Sequence, residues 1–181
     1  MAVKEVLRMG HPVLRQKAAP VSLGKLGSKW IQSLVTDLQD TLESVGGIGL
    51  AAPQIGVSYR VAIIRISGGP TRYGELSPVP LTVYINPTLK VLDEASQGFV
   101  EGCLSVPGLR GYVERPRRIR LHFRDLAGNS QEAEYSGFLA TVFQHEFDHL
   151  DGLLFVDRMT NMTRLYFEDE FNRFHAGPPN H

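Results

Sequence analysis

The segment Gln144-His145-Glu146-Phe147-Asp148-His149 constrains this chain more than any other. The two histidines are four positions apart. On a helix that is about one turn, so both imidazoles share a face and can reach one metal ion. Glu146 stands beside them and can take a proton from water and return it later. The bland alternative is a chance match on an amphipathic helix whose histidines lie on its polar face. If the metal reading holds, the chain must place this helix where a third ligand can meet it, because a catalytic site wants three protein ligands and an open position for water.

Two sources compete for the third ligand. One is Cys103, the single cysteine of the chain, within Glu101-Gly102-Cys103-Leu104-Ser105. A thiolate binds divalent metals well, and Gly102 beside it permits close backbone approach. Otherwise a lone cysteine is a small buried hydrophobe. The other source is the acidic run Glu168, Asp169 and Glu170, about 20 residues past His149. That arrangement would suit an HExxH endopeptidase of the thermolysin type, with Glu168 or Glu170 as ligand. The helical motif alone does not choose between them.

The surrounding pattern is mixed. Trp30, Ile31, Leu34, Val35, Leu38 and Leu42 recur at helical spacing and predict a helix over residues 29–44. Ser28 suits its N-cap, and Gly46-Gly47 ends it. Before it, residues 9–19 read as an ordered arm punctuated by Gly10 and Pro12. Residues 59–66 and 81–85 are rich in β-branched and apolar types and predict strands. Between them, residues 67–80 carry Gly68, Gly69, Gly74, Pro70, Pro78 and Pro80 and read as a surface loop. Residues 118–124 alternate strictly, with Ile119, Leu121 and Phe123 on one face and basic residues on the other, which predicts a half-buried antiparallel strand. A turn at 127–129 leads to a short return strand over 132–135. The motif helix spans 137–150 with Gly152 as its cap, a third helix spans 163–174, and residues 177–181 are expected to fray. Together these give an α+β fold: one domain over 1–181, with antiparallel strands packed around a long helix that bears the motif.

Charge narrows the function classes. Lys+Arg and Asp+Glu are balanced at 19 each, so no bulk basic field draws nucleic acid or an acidic membrane. The arginines of 118–124 read as a solvated face. One cysteine excludes an internal disulfide, and an oxidising compartment is not indicated. No apolar run approaches the roughly 20 residues that span a bilayer, and the first residues lack the apolar core of a signal peptide. A cytoplasmic protein, or a processed organellar one of the matrix or stroma, is expected.

A third motif, Gly47-Ile48-Gly49-Leu50-Ala51-Ala52-Pro53-Gln54, follows the first helix. Taken alone, it could be no more than a glycine-rich turn. Its glycines also expose backbone that can pair with an extended peptide, and the Gln54 amide can donate to a developing oxyanion. A Gly-rich segment ending in Gln, a Glu-Gly-Cys-Leu-Ser segment and a Gln-His-Glu-x-Asp-His segment, in that order, are the motifs of peptide deformylases. The chain resembles that family from Met9-Gly10, Pro12 and Leu14-Arg15 to about Val156.

The resemblance implies a metal-dependent hydrolase that removes the formyl group from the N-terminal methionine of new proteins and releases formate. It implies that Cys103, His145 and His149 bind one divalent metal ion, usually ferrous iron (Fe2+) in cells, although zinc, nickel or cobalt can occupy such a site. Glu146 would be general base and acid, and Gln54 with the backbone N–H of Leu104 would stabilise the oxyanion. Ile48, Gly49 and Gly102 would lie along the substrate, while Phe138, Thr141 and Val142 would wall the methionine pocket. Glu101 would pair with Arg115. Gln144 and Asp148 would support the ligands. The expected partner is an N-formyl-methionyl peptide, including chains still on the ribosome, with no membrane or specific nucleic-acid partner. Against this stand the endopeptidase reading and a non-catalytic metal- or peptide-binding module; the module reading expects a lost ligand, Glu or Gln, and none is lost.

Overall fold

The structure is a computed structural model that describes residues 3–71 and 74–176. Helix α1 (Lys29–Val45) begins where the Ser28 hydroxyl accepts the Ile31 N–H and ends at Gly46. The strands β1 (Gly49–Ala51), β2 (Val61–Ile66), β5 (Val79–Cys103), β6 (Val106–Arg124) and β7 (Ser130–Ser136) form one antiparallel sheet in the order β1-β2-β5-β6-β7. A small ribbon, β3 (Gly69–Thr71) with β4 (Gly74–Leu76), stands apart from it. Then come α2 (Gly137–Asp148), α3 (Phe155–Arg158), β8 (Leu165–Phe167) and α4 (Glu168–Phe174).

Side-chain alternation on the strands builds three layers. Val61 and Ile63 of β2 and Val83 and Ile85 of β5 face α1, where Ile31, Leu34, Val35, Leu38 and Leu42 meet them. Ala62, Ile64, Ile66 and Tyr84 face the other way, onto Ala140, Phe143 and Phe147 of α2. The α2 segment from Ala140 to Asp148 is buried at every position. A helix enclosed on all sides can hold polar groups only if each finds a partner.

The sequence reading captured α1, β2, the motif helix and the alternating strand, but four segments differ in kind or in extent. Residues 67–80 are not a plain loop. Gly69 (φ 98°) and Gly74 (φ 102°) adopt backbone favourable to glycine, and they open the two strands of the β3–β4 ribbon, in which Gly69 pairs with Leu76 and Thr71 with Gly74. The two later strands run far beyond 81–85 and 118–124. Asn86, at φ 50°, marks the point where β5 leaves β2 and continues alone with β6. The expected helix over 163–174 is a short turn, a strand and a short helix. Leu165, Tyr166 and Phe167 pair with Gly111, Arg110 and Leu109 of β6, and this tertiary pairing overrides helical propensity. The expected fraying of 177–181 lies outside the described residues.

The N-terminal arm is ordered, as the sequence suggested. The Leu7 N–H donates to the Gln54 carbonyl (2.8 Å), the Met9 N–H to Ser105 (2.7 Å) and the Ala18 N–H to Leu150 (2.9 Å). The arm therefore fastens to the three motif-bearing segments in turn.

Candidate metal centre and substrate cleft

Cys103 ends β5, and Leu104-Ser105 form the tight turn into β6. This places the thiol at the tip of a hairpin lying against α2. The ligand atoms of Cys103, His145 and His149 all lie within 4.8 Å of one another. Cys103 Sγ is 3.3 Å from His149 Nε2. His145 Nδ1 is 2.8 Å from Glu101 Oε2, so the carboxylate takes that N–H and leaves Nε2 as the free ligand atom. Glu168 is paired with Arg110 and does not join this group of ligand atoms, and Glu170 is exposed. The endopeptidase reading thus loses its third ligand.

Burial pushes the Cys103 thiol up, but the imidazoles of His149 and His145 outweigh it and hold the thiol well below its ordinary range. Burial likewise disfavours the His145 cation, but the Cys103 thiolate and Glu101 outweigh it and raise its pKa well above the ordinary value. A soft sulfur and two imidazole nitrogens, converging in a site that already favours thiolate, fit a divalent transition metal.

The support around the ligands is continuous. Arg115 of β6 donates to both oxygens of Glu101, at 2.7 and 3.0 Å, and to Asp148 Oδ2 at 2.7 Å. Arg158 of α3 donates to both oxygens of Asp148, at 2.6 and 3.1 Å. Gln144 donates to the Pro116 carbonyl at 2.9 Å and so ties α2 to β6. The chain runs Arg158–Asp148–Arg115–Glu101–His145, and it fixes the orientation of a ligand imidazole from outside. The expected Glu101–Arg115 pair is present. The link through Arg158 was not read from the sequence.

A cavity of about 470 Å³ opens over Cys103 and His145, with His149 buried behind them. It brings together every residue singled out for catalysis or substrate contact: Ile48, Gly49, Gln54, Gly102, Leu104, Phe138, Thr141, Val142 and Glu146. Glu146 packs directly on β1, where a Cβ on Gly49 would fall 2.5 Å from Glu146 Cδ. Its Oε2 is buried with no partner among the described residues. Burial pushes this carboxyl above its ordinary value, against the pull of the two imidazoles. Gln54 is held at both ends of its amide. Its Oε1 accepts the Ala51 N–H at 2.8 Å, and its Nε2 donates to Ser105 Oγ at 3.2 Å, with Cys103 Sγ at 3.8 Å. The cavity also takes in the start of β6, including Leu109 and Arg110, and Glu168 and Phe171 of α4. Sequence reasoning assigned no substrate contact to these. The acidic run at 168–170 was the one local signal, and it suggested a ligand instead.

Residues 3–165 match the family model described as polypeptide deformylase. Among relatives, the chain is 47% identical over 172 residues to peptide deformylase 1 of Prochlorococcus marinus, covering 94% of this chain and 88% of that one. It is 41% identical over 170 residues to the peptide deformylase of Leptospira biflexa, covering 94% of each. Among solved structures, it superposes on the Met-Ala-Ser-bound class I type b peptide deformylase of Acinetobacter baumannii with a TM-score of 0.80 and 36% identity, over 87% of this chain and 99% of that one. With three motifs folded around one cleft and a family match over nearly its whole length, the chain belongs to the peptide deformylase family of metal-dependent hydrolases, which remove the N-formyl group from new polypeptides.

Proposed function

We propose that Cys103, His145 and His149 hold one divalent metal ion, ferrous iron in the cell, and that residues 1–181 act as a single catalytic domain on formyl-methionyl chains as they leave the ribosome. The observation that carries this is the convergence of one thiolate and two imidazoles within 4.8 Å at the floor of a cleft that also holds Glu146 and Gln54. When bound, such an ion activates water and polarises the carbonyl under attack.

The chain's own groups supply the rest. The peptide lies along β1 as an added strand, beside Ile48 and Gly49, with its methionine side chain among Phe138, Thr141 and Val142. The Acinetobacter structure holds Met-Ala-Ser, a peptide that begins with methionine. Glu146 takes a proton from the attacking water. As the water oxygen bonds to the formyl carbon, negative charge grows on the formyl oxygen. The Gln54 amide and the Leu104 N–H stand by to donate to it. Glu146 then delivers its proton to the departing nitrogen as the C–N bond breaks, leaving formate and a free amine. A carboxyl pushed up by burial suits this double role near neutral pH.

The cytoplasm, or the matrix or stroma of an organelle, is the compartment where such substrates arise. Among the described residues no helix is long and apolar enough to cross a membrane. The arginine face of β6 is engaged by its neighbour: Arg118 and Arg120 pair with Glu134, and His122 lies 3.2 Å from Glu132. This speaks for a solvated face and against a nucleic-acid surface.

The test is formate release from formyl-Met-Ala-Ser by protein loaded anaerobically with Fe2+. Cys103→Ala should lose both metal and activity. Glu146→Gln should keep metal while turnover falls by roughly 10²-fold or more, the scale of a general acid–base group. A metal-replete Glu146→Gln protein with near-normal turnover would remove Glu146 from its role.

A further inference from the structure

Glu168 opens α4, and its Oε1 accepts from Arg110 Nε at 3.0 Å and from Arg110 Nη2. The β6–β8 pairing sets this up, because Arg110 lies opposite Tyr166, two residues before Glu168. Both side chains line the cleft, and at 37% and 40% exposure they stand at its mouth. The guanidinium packs on Gly102, the residue before Cys103, where a Cβ would fall 1.9 Å from Nη1. A side chain at 102 would push the guanidinium away from this place. Among the described residues Arg110 Nη1 makes no hydrogen bond, so one nitrogen of the fork remains for whatever enters.

A lone guanidinium at this place would favour peptides carrying a carboxylate and disfavour those carrying an ammonium. Glu168 holds the other two nitrogens and cancels the charge. We propose that Glu168 is a specificity-determining residue: by neutralising Arg110 it makes the cleft indifferent to the charge of the peptide beyond its methionine. This rests on the function proposed above. It also gives the C-terminal arm, β8 and α4, a task at the cleft, since the arm is what delivers Glu168 to Arg110.

The experiment uses C-terminally amidated formyl-Met peptides, so that no terminal carboxylate interferes. Asp, Ser or Lys is placed in turn at the second, third and fourth positions, and the acidic-to-neutral ratio of kcat/KM is read within each protein. Any general loss of folding or metal cancels in that ratio. In the wild type the ratio stays near one. In Glu168→Gln it rises by about three- to fivefold at one or more positions, the scale of a half-exposed charge pair, and the Lys peptide falls correspondingly. The double variant Arg110→Gln/Glu168→Gln returns the ratio to the wild-type value, and Glu170→Gln, exposed on the same helix, leaves it unchanged. Unaltered ratios at all three positions in a Glu168→Gln protein that still deformylates the Ser peptides would overturn this inference and leave the proposed function standing. Failure of the wild type to release formate from every peptide would take down both.

Discussion

At the scale of single residues, the site depends on space as much as on chemistry. Gly49 has ordinary extended backbone, so nothing in its own conformation demands glycine. What demands it is Glu146, whose Cδ, Cγ and Oε1 would lie 2.5–2.7 Å from a Cβ at position 49. The carboxyl is buried between β1 and the ligand histidines, and an added methyl must displace it. Gly49→Ala should therefore keep its metal, because the atoms nearest to a Cβ there belong to Glu146 and not to Cys103, His145 or His149. Its turnover should fall by about 10²-fold, the cost of a misplacement of about 1 Å in a reacting group. Metal analysis alongside steady-state kinetics decides the matter. A metal-replete Gly49→Ala protein with full turnover would show that the position of Glu146 is not critical.

At the scale of elements, the buried ionic chain ties β5, β6, α2 and α3 into one support. Arg115 is its centre, 3% exposed and bonded to Glu101 and Asp148. Replacing it by Leu would leave the buried Glu101 without its guanidinium and Asp148 with Arg158 alone, and breaking a buried pair in this way typically costs about 3–5 kcal/mol. Arg115→Leu should lose stability on that scale in urea denaturation and bind metal less tightly, because Glu101 no longer holds His145. Arg115→Lys should rescue little, since one ammonium cannot reproduce a fork that serves three oxygens. A small loss in both variants would mean that the chain contributes little beyond packing. Little of this chain was legible in the sequence. His145, His149, Glu146 and Gln54 announced themselves through local spacing and residue chemistry, whereas Cys103 as the third ligand and the Glu101–Arg115 pair came through the family motif. Arg158 and Asp148 meet only because of the path taken by α3, and Arg110 and Glu168 only because β8 pairs with β6. The same distinction holds for the fold. The alternation of 118–124 is written in its residues, whereas 91–101 mixes polar and apolar types and is a strand because β6 lies beside it. Pairing across such distances leaves no periodic signature.

Across the whole molecule, the layer between sheet and α2 has a polar atom at its centre. Tyr84 is 1% exposed, and its ring meets Phe123, Phe143 and Phe147 at centroid distances of 4.5, 5.3 and 5.8 Å. Burial, helped by the neighbouring Tyr135 phenol, pushes the Tyr84 phenol far above its ordinary value. The folded protein therefore keeps this proton at a pH where the unfolded chain gives it up. The stability so contributed is fully present below the unfolded tyrosine pKa of about 10, and it is lost as pH rises from there toward the folded value. Each pH unit in that window should remove about 1.4 kcal/mol through this one group. Tyr84→Phe keeps the ring and deletes the titration, and every other ionising side chain is common to both proteins. The difference in unfolding free energy, wild type minus Tyr84→Phe, should be flat from pH 7 to 9 and then decline by about 1.4 kcal/mol per unit above pH 10. Urea denaturation of both proteins from pH 7 to 11 measures it. A difference that stays constant through pH 11 would mean that the Tyr84 phenolate is accommodated within the fold, against the burial seen between sheet and helix.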